Sequence, residues 1–368
     1  MSSRIRRSLV ACALVAPLAT FAASSPAAAD DGRGERDERG TAAIYTETNA
    51  PGANAVLAFR NVGGSLTSVG SFPTGGAGLG AGLGSQGSVI VDNSRVLAVN
   101  AGSNQVSLFS INNDGGLTLR DVEPSGGVRP VSVTVHDDVA YVVNAGNQTV
   151  SGFRIRQGHL DAIAGSTQTL PGNSAAQIQF DNAGRRLIVT EKGTNTIDVL
   201  GVDGRGVAGA ATSNPSTGAT PFGFAIDHRD HLIVSNAAGG APGASSVSSY
   251  DFAGRTGLSP VSSAIADTQG AACWIALASN EKFAYTTNTA SGSISSYRVA
   301  RDGSLVLLNA TAAFPGGGPT DMVNASGTLF TLNTGAHTIT GHRIAGDGSL
   351  VATSSISVPA GVTGLASA

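Results

Sequence analysis

Seven near-copies of one hairpin constrain this chain more than any other feature. The segment YVVNAGNQTVSGFRI (141–155) recurs as LAVNAGSNQVSLFSI (97–111) and AYTTNTASGSISSYRV (284–299), with looser copies at 44–59, 187–202, 232–252 and 329–344. Aligned on the residue that ends the first strand, the anchors are Asn49, Asn100, Asn144, Glu191, Asn236, Asn288 and Asn333, spaced 44 to 52 residues apart. That period is the size of a propeller blade. A second turn follows each hairpin. Asp114-Gly115, Asp302-Gly303 and Asp347-Gly348 there supply the positive φ angles that tight turns between strands need. Before each hairpin lies a short strand rich in small residues, such as 131–137, 176–182 and 273–279. The N-terminal hairpin lacks this strand, and an unpaired one, VPAGVTGLAS (358–367), ends the chain. The two fragments complete one blade and leave no exposed sheet edge. The expectation is an all-β, seven-bladed β-propeller over 41–368, closed by its C-terminal strand.

The first 29 residues read as an export signal. Arg4, Arg6 and Arg7 precede an apolar run from Leu9 to Ala23, and Ala27-Ala28-Ala29 supplies the small residues of a cleavage site. The run is shorter than the ~20 residues a membrane span needs. Secretion is expected, with the twin-arginine route open because of Arg6-Arg7. Residues 30–40 are almost wholly charged or Gly and read as a lead-in without a core. Losing three arginines and no acid from 22 basic and 25 acidic residues leaves a net charge of −6. Such a chain lacks the basic stripe that nucleic-acid binding requires. Cys12 leaves with the signal, so Cys273 stands alone, without an internal disulfide and with the character of a small buried hydrophobe.

In an up-and-down blade, the loop leading into the innermost strand and the turn inside the hairpin share one face. The anchors and lead loops therefore ring one mouth of the channel. Its polar candidates are Glu47, Gln86, Arg129, Gln177, Glu191, Lys192, Asp267, Gln269, Asp321 and His337. A repeated Asn such as Asn144, Asn236 or Asn288 can cap its own turn or present an amide to a ligand. Glu191 breaks the pattern. Other motifs fail on context. Gly82-Leu83-Gly84-Ser85-Gln86-Gly87 matches a dinucleotide fingerprint but precedes a strand. His228 and His231 lack a third metal ligand. The Asp-Gly turns lack the alternating oxygens of a calcium loop. No cofactor or metal is implied.

The hairpin YVVNAGNQTVSGFRI resembles the YVTN-type repeat of lactonase-like seven-bladed propellers, the group of bacterial 6-phosphogluconolactonase and fungal carboxymuconate cyclase. That family commonly carries Gly-Pro-Arg-His at one inner strand and Asn-Glu at the end of the next. By this resemblance the Arg-His pair falls on Ala176-Gln177, a neighbouring His-x-His on Arg129-Pro130-Val131, and the glutamate on Glu191. Opening a lactone needs a general base or acid and a cation for the developing oxyanion. The resemblance implies a lactone hydrolase or cycloisomerase with Glu191 as base and Arg129 holding a substrate carboxylate. Gln177, Lys192, Asn144, Asn236 and Asn288 would line the site. Two rivals stand beside it: a non-catalytic, monomeric binder of an extracellular protein, glycan or cell-wall ligand, and a metal-dependent lactonase using Glu47 and Glu191.

Overall fold

The computed structural model describes residues 42–368, and the expected signal, the lead-in and Thr41 lie outside the described residues. Seven antiparallel sheets form the ring: blade 1 from 43–73 with 363–367, then blades 2 to 7 at 89–124, 130–169, 175–215, 221–266, 272–313 and 319–357. In blade 3 the outermost position is shared by His159–Ala162 and Gln168–Thr169, so that sheet has five strands. The C-terminal strand Thr363–Ser367 pairs with Ala43–Glu47, Tyr45 facing Ala366. Inner strands touch their neighbours all the way round, and Thr363–Ser367 meets both Pro319–Ala325 and Val89–Asp92. Closure follows from the sequence as expected.

Hairpin strands are buried on both faces, which is why runs such as Ala140-Tyr141-Val142-Val143 are apolar without alternation. The apolar clusters lie between blades. One unites Tyr141, Val143 and Val150 with Leu187, Val189 and Leu200 across the seam of blades 3 and 4.

Two repeated residues explain the blade-to-blade fit. The tyrosine of the motif reaches forward: Tyr45, Tyr141 and Tyr285 donate to the carbonyls of Gly115, Gly206 and Gly348 in the next blade's outer turn, at 3.0, 2.8 and 2.9 Å. Each of those glycines has a φ near +80° (83°, 79° and 86°), a conformation a side chain would strain. A glycine of the lead loop lies over the anchor of the hairpin beneath it. A Cβ on Gly76, Gly127, Gly172 or Gly218 would come within 2.5, 2.5, 1.4 or 2.3 Å of Asn100, Asn144, Glu191 or Asn236.

Candidate functional site

The anchors are buried beneath those glycines and do not face the mouth. Asn144, Asn236 and Asn288 have no exposed surface. Their amides serve the blade: Asn144 donates to the Ser125 carbonyl at 3.2 Å, Asn236 to Ser248 at 2.9 Å and Asn288 to Ser295 at 2.8 Å. The expected ligand-facing role does not fit this geometry, because an amide closed under backbone meets no solute. Gln177 is likewise engaged. Its side-chain amide accepts from Phe224 N at 2.7 Å and donates to Phe224 O at 3.0 Å, pairing with the free edge of the next inner strand. Ser132 and Asp321 do the same for Ile178 N and Leu365 N.

Glu191 ends the strand Arg186–Glu191 and is fully buried in the seam toward blade 3. Asp198, on the facing strand, lies on the same side of the sheet, diagonal to it, because Val189 pairs with Asp198 and Glu191 with Thr196. Burial pushes the Glu191 carboxyl up to about 7, and the Asp198 charge adds to the rise. The Thr194 hydroxyl and Gly172 N–H oppose it more weakly. Neither Glu191 oxygen receives a well-formed hydrogen bond. Asp198, which sequence reasoning missed, is also raised by burial, against the Ser213 hydroxyl 2.6 Å away. Its signal was available: position 198 is seven past the anchor, where Ser107, Ser295 and Thr340 follow Asn100, Asn288 and Asn333.

Lys192 points the other way, over the channel mouth. Its ammonium donates to Gly84 O and lies 4.8 Å from the Phe222 ring centre. Burial lowers its pKa to about 8, Arg129 adds to the fall, and Cys273 opposes it. Arg129 is exposed at the rim, in the left-handed conformation (φ 54°) shared by Ser174, Thr220 and Ala271 just before their own inner strands. Among the described residues no ion pair joins Arg129 or Lys192 to Glu191. The expected base–cation pair of Glu191 and Arg129 is therefore not assembled: one is sealed in a seam, the other is at the rim. Cys273 is buried behind Lys192 with its thiol pushed up to about 11, so it is no nucleophile at neutral pH.

A glycine-rich strap closes this mouth. Residues 77–87 leave Asn49, which holds Leu79 N and Ala81 O at 2.7 Å each, and cross the ring. Ser85 donates to Val131 O at 2.7 Å and accepts from the Trp274 indole at 2.8 Å. Gln86 N donates to Ala176 O, while its side chain pairs with Ile275 N and O at 3.2 and 2.9 Å. The channel opens instead at the opposite end, in a cavity of about 570 Å³ with Gln86 at its floor and Ser279, Glu281 and Asn324 at its rim. His228 pairs with Glu281 there, His231 lies 2.8 Å from Asp227 and 3.6 Å from Asp251, and among the described residues no cluster of His, Cys, Asp or Glu is arranged to hold a metal.

The remaining candidates serve structure. Glu47 is buried against Asn54 and raised to about 8 by that burial. Asp267 accepts from Ser245, Gln269 turns to Ser293, and His337 occupies an exposed turn.

Register agrees with the anchor alignment. Glu191 faces Ala175 as Asn144 faces Pro130, Asn236 faces Pro221 and Asn288 faces Ala272, so Glu191 fills the anchor asparagine's place in blade 4.

The chain matches the model of the family described as "Lactonase, 7-bladed beta-propeller" over residues 88–241 and 237–364. The 6-phosphogluconolactonase of Yersinia enterocolitica is 28% identical over 143 residues, 36% of this chain and 43% of that protein, so the match spans less than half of the relative's length. The periplasmic gluconolactonase of Pseudomonas aeruginosa superposes with a TM-score of 0.70 at 13% identity, covering 89% of this chain and 98% of its own. A protein from Lactobacillus plantarum gives 0.71 at 14%, covering 89% and 99%. At such identities these structures speak for the fold alone. With the closed ring, the repeated hairpin and the matched span together, the chain belongs to the lactonase family of seven-bladed β-propellers.

Proposed function

We propose that this is an exported propeller that binds a small carboxylate of the lactone or hydroxy-acid type at the strap-covered mouth and does not hydrolyse it. One observation carries the reading. The places where the family resemblance puts Arg and His hold Ala176 and Gln177, the glutamate it places at Glu191 is sealed in the seam, and the strap is bonded directly to Ala176 and Lys192. Turnover needs a base as well as a cation. The mouth offers two cations, while the Glu191 carboxyl faces into the seam. An ammonium has three donors, and Gly84 occupies one, so Lys192 can hold a carboxylate when the strap lifts from Gly84 to admit it, with Phe222 and Trp274 (ring centres 4.7 Å apart) behind it as an apolar wall. The relatives supply the ligand class. Export rests on the N-terminal pattern.

The test is a lactone panel with the protein and Glu191→Gln, paired with calorimetric titration of gluconate into protein and Lys192→Met. The expected result is no turnover above background, and gluconate binding that falls about tenfold in Lys192→Met. Wild-type binding should also weaken as pH rises through about 8, where Lys192 loses its proton. A second reading, hydrolysis with Glu191 as general base, is favoured by its carboxyl being raised to about 7. Turnover abolished by Glu191→Gln would establish it and overturn the first.

A further inference from the structure

Five hairpins place a donor against an acceptor at the anchor. Asn100, Asn144, Asn236, Asn288 and Asn333 each donate to a hydroxyl, of Ser107, Thr149, Ser248, Ser295 and Thr340, at 2.7, 3.4, 2.9, 2.8 and 3.0 Å. Blade 4 alone sets acceptor against acceptor. Glu191 and Asp198 are both 0% exposed, and Glu191 Oε1, Glu191 Oε2 and Asp198 Oδ2 have no hydrogen-bond partner.

Among the described residues no cation fills the gap. Lys192 is turned to Gly84 and Phe222, and the Arg129 guanidinium reaches Ala145 O at the rim. The groups that do face the pair are Ser213 on Asp198, and Thr194 and Gly172 N–H on Glu191. Among the described residues Asp198 is the one titratable group acting on Glu191. Two ionised carboxylates cannot share a dry seam without a compensating charge.

We infer that Glu191 and Asp198 hold a single proton between them at neutral pH, and that this proton latches the loop 171–174 over blade 4. Gly172 lies so close that a Cβ there would be 1.4 Å from Glu191 Oε2. The same loop is tied to the hairpin turn by Lys192 N to Ser174 O at 3.2 Å and Gly193 N to Asn173 O at 3.1 Å. Losing the proton sets two like charges under Gly172, and the loop and the turn that carries Lys192 open together.

The direction with pH follows from the raised carboxyl. The latch is fully closed below the ordinary carboxylate value and is lost as pH climbs through about 7. In Glu191→Gln the side-chain amide supplies the missing donor to Asp198 at every pH.

Amide hydrogen exchange on the full chain at pH 5.5 and 8.5, corrected for intrinsic rates, tests this without any ligand. Lys192 and Gly193 amides should lose about tenfold protection or more at pH 8.5 in the wild type, one pKa unit being a factor of ten. Glu191→Gln, and Asp198→Ser as a second variant that restores the hydroxyl of the other blades, should hold protection level across the range. Equal pH dependence in wild type and both variants would overturn the inference. So would protection restored at pH 8.5 by calcium chloride, which would put a cation where the proton is placed.

Discussion

Gln86 shows how one side chain can close a channel. In blades 3, 4 and 7 the residue at one inner-strand position, Ser132, Gln177 or Asp321, covers the backbone edge of the following strand. Blade 5 has Gly223 there and leaves Ile275 uncovered. Gln86 reaches across the ring to pair with both Ile275 groups, and a Cβ on Gly223 would lie 2.1 Å from its Oε1. Glycine at 223 and glutamine at 86 therefore need each other. Gln86→Ala would leave a buried N–H and C=O unpaired, at a cost of about 2 kcal/mol. Denaturant unfolding should read that loss, and Gly223→Ala should resemble it. The gap at Gly223 was legible in the sequence, as a glycine in a strand of larger residues. Its complement was not, because 189 residues separate Gln86 from Ile275 and only ring closure brings them together. For the same reason Gln177 and the anchor asparagines looked like ligand contacts: a polar residue near a mouth and a polar residue capping backbone have the same spelling.

At the scale of the hairpin, the motif tyrosine and the outer-turn glycine form one device shared by neighbouring blades. The hydroxyl needs a carbonyl, and the carbonyl is free because its glycine turns left-handed. Tyr285→Phe keeps the ring packing and orphans only Gly348 O and should cost about 1 kcal/mol. A thermal midpoint unchanged from wild type would show that water replaces the bond. Hairpins were readable because strand pattern, turn chemistry and spacing agree. The exception is blade 1. Counting from Tyr45 as from Tyr141, the anchor place falls on Thr48, and Asn49 lies one residue beyond it. Asn49, at φ 49°, holds the strap. The step shows in the spacing from the motif tyrosine, three residues to Asn144 and four to Asn49, and the sheet shows what the extra residue does.

At the scale of the molecule, each blade rests mainly on its two neighbours, so the ring's cooperativity depends on its seam. Blade 1 is where the first and last described strands meet. Thr363–Ser367 contributes Leu365 and Ala366 to the cores against blades 7 and 2, and Leu365 N is one of two backbone donors to the buried Asp321 carboxyl. Removing residues 363–368 would bare the edge of Ala43–Glu47 and take a donor from Asp321, whose carboxyl burial already pushes up to about 8. An open edge beside an under-bonded acid is an adhesive surface. The truncated chain should elute as oligomers and unfold in a broad transition where the intact chain unfolds sharply, and an added peptide of residues 358–368 should restore both the elution position and the sharpness. A truncated chain that remains monodisperse and unfolds as sharply as the intact one would mean that the six complete blades hold their arc without closure, and that the strap, pinned at Val131, Ala176 and Ile275, is the tie that keeps the ring together.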